Sequence, residues 1–500
     1  MAAPELSLSP RATPEQRQAI LTQDRALVVQ AGAGTGKTWV LVQRFLALLE
    51  NHPDWSLDSI VAVTFTEKAA REMRGRIRRA IEARAADRPD QPIWQSRRRE
   101  LDQLIVGTIH GLCARILREN AIAAAIDPRF SVLDEEEATL LKEEAIESTL
   151  ATLAEADSPA LELLSSLMVT DLRREMESLL NRRGIVKQLF DTLPDQESLL
   201  ARWRLGLAEM KAALQSRLTT DEPFQHALQD LSAIPLPADT SDSLYPHVVA
   251  AQEGCRLWRA GDGPAALPHW LSLNLRGGKQ ANWGGKEALA ELKAGLTALR
   301  GAAQTLEKAG FALQVGPDDE EAAALLQRWQ LLWTALETTY AGLKEARQAL
   351  DFDDLELEAV KLLEQEPRNP RLAAFMSRVQ HLMVDEFQDT NPLQKRIVYA
   401  LAHPSEPGRL FVVGDAKQSI YRFRQAQVSL FNAAADDVAA QHEDAVLPLS
   451  RSFRSHHSLV AGFNDLFANI LQPLHSAHEP YEATPGPLTA QRESPPAGQP

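Results

Sequence analysis

A glycine-rich loop between a short apolar run and a helical pattern constrains this chain most. The apolar run covers residues 26–29, and the helical pattern begins near Val40. Glycines let the backbone turn tightly and approach a ligand closely, while loop amides and a helix N-terminus provide donors for phosphate. The order strand, loop, helix predicts a phosphate-binding loop in an α/β fold. The loop residues are Ala31, Gly32, Ala33, Gly34, Thr35, Gly36, Lys37 and Thr38.

Two side chains at the end of this loop suit a nucleotide with its metal ion. Lys37 is predicted to reach the β- and γ-phosphates, and Thr38 is predicted to offer its hydroxyl to Mg²⁺. A glycine-rich loop can also be only a flexible connection, so another part of the chain must supply the rest of the site. Ala31 stands where the usual pattern opens with glycine.

Length and composition indicate a globular protein with more than one domain. Five hundred residues exceed one simple core, and 44% hydrophobic with 24% charged residues is typical of folded chains. The two cysteines predict neither a disulfide framework nor a metal cluster, so a reducing, cytoplasmic setting is expected. No apolar run approaches the roughly 20 residues of a membrane span, so no membrane partner is expected.

The net charge of −15 argues against indiscriminate nucleic-acid binding but leaves room for a local basic groove. The best candidate is a helical pattern in which Arg71, Arg74 and Arg78 fall on one face. A solvated helix face is the simpler interpretation of such a run.

Short apolar segments alternate with helical ones at both ends of the chain. Strands are predicted at residues 59–63, 103–106, 381–384 and 410–413, with a helix at 67–84 after the first of them. This alternation predicts a parallel sheet covered by helices on both faces, with ligands beyond the carboxyl ends of its strands. Residues 134–366 carry Ala, Leu and Glu at helical spacing, which predicts a large helical insertion with an irregular middle at 234–285.

The strand at 381–384 runs into acidic residues of the kind that a Mg-nucleotide site needs. Asp385 is predicted to hold Mg²⁺, and Glu386 to orient or deprotonate the attacking water. Just past the next strand, the neutral amide of Gln418 could sense a γ-phosphate. An alternation of aromatic and basic residues that suits stacked bases and phosphates follows at Tyr421, Arg422, Phe423 and Arg424.

The ordered set of motifs resembles superfamily 1 DNA helicases of the UvrD/Rep/RecB kind. The matching segments are residues 13–16, 64–70, 107–110, 352–355, 385–389, 414–424 and 452–455, in the order of the family. Alanine usually opens the phosphate-binding loop of this family, so Ala31 fits it. The resemblance implies a RecA-like P-loop motor domain that uses ATP and Mg²⁺ and moves along DNA.

For the nucleotide, the resemblance implies that Gln16 reads the adenine edge and that Phe453 stacks on the base, where the family usually has tyrosine. Arg454 would be an arginine finger from a second motor domain, and Arg424 would help couple it. Thr38 and Asp385 would hold the metal. The implied catalytic residues are Lys37, Glu386, Gln418 and Arg454. The implied ATP contacts are Gln16, the loop from Ala31 to Thr38, Arg424, Phe453 and Arg454.

For DNA, the resemblance implies a track for one strand, along which aromatic side chains stack on bases. The implied residues are Thr64, Phe65, Thr66, His110, Tyr421 and Phe423. Finer details resemble the RecB/AddA branch, namely Glu67, Lys417, the segment 130–137 and the length of the insertion. That branch implies a 3′-to-5′ motor in double-strand break processing, a partner in a complex of the AddAB or RecBCD kind, and often a C-terminal nuclease. Nothing in these residues shows a nuclease.

Two residues depart from the family pattern. Trp39 stands where many relatives carry an arginine, and Gln425 replaces a glycine. We predict motor domain 1A at residues 1–125 and 371–445, a 1B-like helical insertion at 126–370, and the start of motor domain 2A at 446–500. Because later family motifs do not appear, we expect the chain to be the N-terminal part of a longer polypeptide.

Three hypotheses follow for the function. The first is a DNA-dependent ATPase and helicase subunit, which the motif set favours. The second is a nucleotide- and DNA-binding module without turnover. The third, a P-loop ATPase or switch that does not act on DNA, leaves the segments 64–70 and 421–424 unexplained.

Overall fold

A computed structural model describes residues 12–473, 479–484 and 486–493. The chain forms two compact units, which we call the sheet unit and the helical unit. The sheet unit comprises Met1–Glu147, Glu177–Gly184 and Thr338–Pro500, and the helical unit comprises Ser148–Met176 and Ile185–Glu337.

The first part of the chain alternates strands with helices. Its elements are α1 (Pro14–Leu21), β1 (Leu27–Ala31), α2 (Lys37–Asn51), β2 (Ile60–Thr64), α3 (Glu67–Asp87), α4 (Pro92–Arg99), β3 (Ile105–Thr108), α5 (Ile109–Glu119), α6 (Ala121–Ala124) and β4 (Ser131–Val132).

Helices alone follow in the middle of the chain. They are α7 (Glu135–Glu155), α8 (Val169–Leu180), α9 (Arg183–Thr192), α10 (Gln196–Thr219), α11 (Glu222–Ala233), α12 (Tyr245–Arg259), α13 (Gly263–Leu271), α14 (Lys286–Lys308) and α15 (Pro317–Ala346).

The last part returns to alternation. Its elements are β5 (Ala349–Leu350), α16 (Phe352–Glu364), α17 (Pro370–Arg378), β6 (His381–Val384), α18 (Pro392–Leu401), β7 (Leu410–Gly414), α19 (Val428–Ala439), β8 (Val446–Leu449), β9 (Arg451–His456), α20 (His457–Ile470) and β10 (Thr489–Arg492).

A six-stranded parallel sheet forms the centre of the sheet unit, with the strand order β3-β2-β6-β7-β1-β8. Strands β2, β6 and β7 are buried along their whole length, because helices cover both faces of the sheet. This explains their continuous apolar runs, and the predicted α/β class and strands are confirmed. The carboxyl ends of β1, β2, β6 and β7 meet at one edge, as the loops they carry require.

Strand β8 lies at the edge of this same sheet, where Val28 pairs with Val446 and Ala31 with Leu449. The predicted boundary at residue 446 would assign β8 to a second domain, whereas the structure pairs β8 with β1. The chain then turns into β9, which forms a separate two-stranded parallel sheet with β10.

The predicted irregular middle of the insertion is wrong in part, because α12 and α13 lie within residues 234–285. Pro246 and Pro264 stand in the first turns of these helices, where a proline has no hydrogen bond to lose. Gly263 lies against Phe311, so it serves close packing and does not end a helix. Prolines and glycines that read as breakers are therefore start and packing positions here.

The tryptophans of the insertion were predicted to be core residues, and Trp270 and Trp333 are buried. Trp270 packs within the helical unit against Phe224 and Trp258, at centroid distances of 5.7 and 5.5 Å. No helix in the described part of the chain is long and apolar enough to cross a membrane.

Candidate nucleotide and DNA site

The phosphate-binding loop joins β1 to α2 as predicted. Gly34 and Gly36 have φ of 75° and 87°, a conformation that favours glycine, and Gly36 caps α2. The Thr35 hydroxyl donates to Gly32 O at 2.8 Å and tightens the turn. Gln16 Nε2 donates to Thr35 O at 2.9 Å, so the residue predicted to read adenine is attached directly to the loop.

Lys37 and Glu386 form an ion pair, with Nζ 2.9 Å from Oε2. Lys37 begins α2, and Glu386 follows β6 with a φ of 54°, which turns the chain sharply beyond the strand end. The predicted phosphate-binding ammonium and the predicted catalytic carboxylate therefore meet in one place. Each charge neutralises the other in this conformation.

Asp385 is a buried carboxylate beside this pair, and its Oδ1 accepts a hydrogen bond from Glu386 N at 3.0 Å. Burial and the neighbouring Glu386 charge raise the pKa of Asp385 to about 7, although Lys37 opposes the shift. A cation at Asp385 would favour the ionised carboxylate, so this environment fits the predicted Mg²⁺ position.

Thr38 lies one residue after Lys37 in the first turn of α2. In the described residues, no group of three or more His, Cys, Asp or Glu side chains could hold a metal by itself. Mg²⁺ usually takes one or two protein oxygens and completes its shell with phosphate and water, so the pair Thr38 and Asp385 is a sufficient donor set.

Gln388 is a functional residue that the sequence reasoning missed. It is almost completely buried, its Nε2 donates to Glu386 Oε2 at 2.9 Å, and its Oε1 accepts from Asp415 N at 3.0 Å. Gln418 Nε2 in turn donates to Asp415 Oδ2 at 2.8 Å. A continuous set of hydrogen bonds thus joins Glu386 to Gln418 across the ends of β6 and β7. A glutamine within an acidic motif was the available signal.

The segment after β8 lies along the phosphate-binding loop. Phe453 N donates to Gly34 O at 2.8 Å, and the Ser452 hydroxyl donates to Ala33 O at 3.3 Å. A Cβ on Gly34 would lie 2.6 Å from Arg454 Cβ, so only glycine fits there. The structure thus places the backbone of Phe453 and Arg454 at the loop. The side chain of Arg424 lies outside the described residues.

Three aromatic rings predicted to contact DNA form a row at the ends of β2 and β7. The Phe65 and Tyr421 centroids are 4.8 Å apart, and those of Tyr421 and Phe423 are 5.8 Å apart. Phe423 is 77% exposed. Such a row offers faces on which successive bases can stack.

The remaining predicted DNA residues differ in their exposure. Thr64 is buried, so its side chain offers no surface to a strand in this conformation. Thr66 is exposed, and its hydroxyl accepts from Ala69 N at 3.1 Å as the cap of α3. His110 lies in the first turn of α5, and its Nε2 is 2.9 Å from Glu356 Oε1. The structure places His110 beside α16 instead of within the aromatic row.

The basic face of α3 has a largely structural explanation. Arg74 donates to Val106 O, and Arg78 pairs with Glu82 at 3.2 Å. Arg71 Nε donates to Glu67 O at 3.3 Å within the same helix. The solvated-face interpretation therefore accounts for these arginines.

The sheet, the phosphate-binding loop and the acidic segment together define a P-loop nucleotide-binding α/β protein. Residues 12–439 match the family of the UvrD/REP helicase N-terminal domain. The chain belongs to this family, and the predicted resemblance is confirmed.

Several relatives are named as the AddA component of an ATP-dependent helicase/nuclease. The relative from Exiguobacterium sibiricum is 29% identical over 92% of this chain and 40% of its own length. That from Levilactobacillus brevis is 31% identical over 92% and 38%, and that from Desulforudis audaxviator is 30% identical over 92% and 40%. The chain therefore spans about two fifths of the length of these relatives.

Proposed function

We propose that this chain is the ATP-driven, DNA-translocating part of a helicase/nuclease of the AddA kind. The observation that carries the proposal is the hydrogen-bonded connection from Glu386 through Gln388 and Asp415 to Gln418. Its first residue lies beside Lys37, and the aromatic row begins three residues after its last. A motor needs such a link between the nucleotide and the DNA.

Hydrolysis would begin by breaking the Lys37–Glu386 ion pair. The γ-phosphate oxygens attract the Lys37 ammonium, which leaves the Glu386 carboxylate available to a water molecule. The water oxygen bonds to the γ-phosphorus as the bond to the bridging oxygen of ADP breaks, and Glu386 accepts the water proton. Bound Mg²⁺ would neutralise the phosphate charge from its position at Thr38 and Asp385.

The segment from Ser452 to Arg454 supports the arginine-finger role, because its backbone is hydrogen-bonded to the loop. Arg454 is exposed, so its guanidinium can reach a phosphate without leaving a buried partner. Positive charge there would stabilise the transition state of phosphoryl transfer. Phe453 and Gln16 would enclose the adenine.

The first experiment measures ATP hydrolysis by this chain with and without oligo(dT). We expect turnover that requires the oligonucleotide and that Lys37→Ala abolishes. Lys361→Ala is a matched control, because the Lys361 side chain is 75% exposed on α16. Turnover that ignores DNA would contradict the proposal. Binding of nucleotide and oligo(dT) without turnover would favour the hypothesis of a binding module.

The 3′-to-5′ direction and double-strand break processing also belong to this proposal. A translocating motor should displace streptavidin from a biotin at one end of an oligonucleotide only. We expect displacement from the 5′ end, because a motor moving in the 3′-to-5′ direction arrives there. Displacement from the 3′ end would refute the direction while leaving the motor itself intact.

A further inference from the structure

Glu356 is a buried carboxylate that takes no part in the proposed hydrolysis. It lies on α16 and is 2% exposed. Its Oε1 is 2.9 Å from His110 Nε2 and accepts from Gln394 Nε2 at 2.6 Å, while Oε2 accepts from Asn391 Nδ2 at 2.8 Å. A buried carboxylate needs such donors, because each one lost leaves part of its desolvation cost uncompensated.

Two of the three donors belong to the start of α18. Asn391 caps this helix, with its Oδ1 accepting from Gln394 N at 2.9 Å and its own N–H donating to Gln394 Oε1 at 3.3 Å. The cap therefore fixes both side-chain amides. Because Asn391 closely follows the segment from Asp385 to Asp389, Glu356 is attached to the loop that carries the predicted catalytic acids.

The third donor lies on the side predicted to contact DNA. His110 follows β3, whose last residue Thr108 pairs with Thr64 at the end of β2. The His110 ring also lies 4.9 Å from the Phe352 ring. Its side chain is 31% exposed. Glu356 thus orients an accessible imidazole from a buried position.

The energetics favour one orientation of this ring. Turning Nε2 away would remove a donor from a buried carboxylate, which is more costly than breaking an exposed hydrogen bond. With Nε2–H committed to Glu356, Nδ1 is the nitrogen left for a ligand. In the imidazolium form, Nδ1 is a donor that suits a phosphate oxygen.

We infer that Glu356 is a positioning residue for DNA binding, which fixes His110 and joins it to the loop of Asp385 and Glu386. The inference rests on the proposed DNA role of His110. Glu356 acts only through His110 and α18. Its loss should therefore weaken DNA binding while leaving nucleotide affinity in the absence of DNA unchanged.

The test compares Glu356→Gln, His110→Ala and the double variant in the full chain. Glu358→Gln is the matched control, because Glu358 lies on the same helix and pairs with Lys361 at 3.2 Å. Anisotropy of fluorescein-labelled oligo(dT) gives the DNA Kd, and a fluorescent ATP analogue gives the nucleotide Kd. We expect each single variant to raise the DNA Kd about tenfold, and the double variant to raise it no further.

Three results would overturn the inference. They are additive losses in the double variant, DNA binding by Glu356→Gln equal to that of the wild type, and equal loss of both ligands with earlier thermal unfolding. The last result would indicate a structural role only. If the wild-type chain does not bind oligo(dT), the DNA role itself fails, whereas wild-type binding that Glu356→Gln leaves unchanged refutes the inference alone.

A second measurement applies to the wild-type chain if Glu356→Gln does not fold. NMR with isotope-labelled histidine, in which His110→Ala assigns the signal, reports the protonation of each ring nitrogen. We expect a proton on Nε2 and a shift of the His110 signal when oligo(dT) is added. An imidazole protonated on Nδ1 alone, or a signal that ignores the oligonucleotide, would refute the inference.

Discussion

Arg183 is the residue whose loss should destabilise the sheet unit most clearly. It is almost completely buried, and its Nη atoms donate to Asp351 at 3.1 and 3.0 Å and to Asp354 at 2.5 Å. Burial alone would lower the pKa of the guanidinium, but the two carboxylates outweigh burial and raise it. Lys344 Nζ, 2.5 Å from Asp354, is a second cation of this cluster.

The change Arg183→Met removes the positive charge while keeping an apolar side chain of comparable length. Two carboxylates would then share Lys344 in a buried environment, for which the expected loss is about 3–5 kcal/mol in the free energy of unfolding. With a urea m-value near 3 kcal/mol/M, the midpoint should fall by about 1–1.5 M. Urea unfolding followed by circular dichroism measures this shift.

Arg182→Met is the matched control, because Arg182 is exposed and adjacent in sequence. The double variant Arg183→Met/Asp354→Asn should recover part of the loss. Asparagine removes one of the stranded charges, yet it can still accept the hydrogen bond that Asp351 N donates at 3.0 Å. A loss below about 1 kcal/mol, or an equal loss in the control, would refute the reasoning.

Three further predictions concern single side chains. Burial and Arg44 hold the pKa of His381 well below its usual value, so the unfolded chain alone takes this proton, and stability should fall as the pH drops below about 6.5. His381→Gln should reduce that pH dependence of urea unfolding, whereas the exposed His403→Gln should not. Gln425 has a φ of 64°, so Gln425→Gly should raise the free energy of unfolding by about 0.5–1 kcal/mol, and a loss would contradict the strain argument. Gln388→Leu should lower DNA-stimulated hydrolysis and cost about 1–3 kcal/mol, because it leaves Asp415 N–H buried without its acceptor; unchanged hydrolysis and stability would count against the connection.

The sequence predicted the sheet strands and the loop because both depend on local patterns. Apolar runs at β6 and β7 and the glycines after β1 need no knowledge of distant residues. The same holds for Asp385 and Glu386, whose position at a strand end follows from the run before them. Lys37 could be matched to Glu386 because both lie at the same edge of a parallel sheet.

The missed features depend on contacts that separation along the chain conceals. Glu356 reads as one acid among several on a solvated helix, yet α16 packs against α5 and α18 and buries it. β8 reads as the start of a new domain, but it pairs with β1. Gln425 could be recognised as unusual from the family pattern, and its positive φ explains why a glycine suits that position.

Arg44 shows how the fold holds the two halves of the nucleotide site in register. Its Nη1 donates to Ala19 O at 2.7 Å and Thr22 O at 2.6 Å, at the end of the helix that carries Gln16. Its Nε donates to His381 Nε2 at 3.2 Å, at the start of the strand that ends before Asp385. Burial lowers the pKa of Arg44 to about 9, so the guanidinium stays charged at neutral pH. One buried cation therefore connects the predicted adenine-reading helix to the metal-binding strand, which lets the loops beyond the strand ends move while their roots stay fixed.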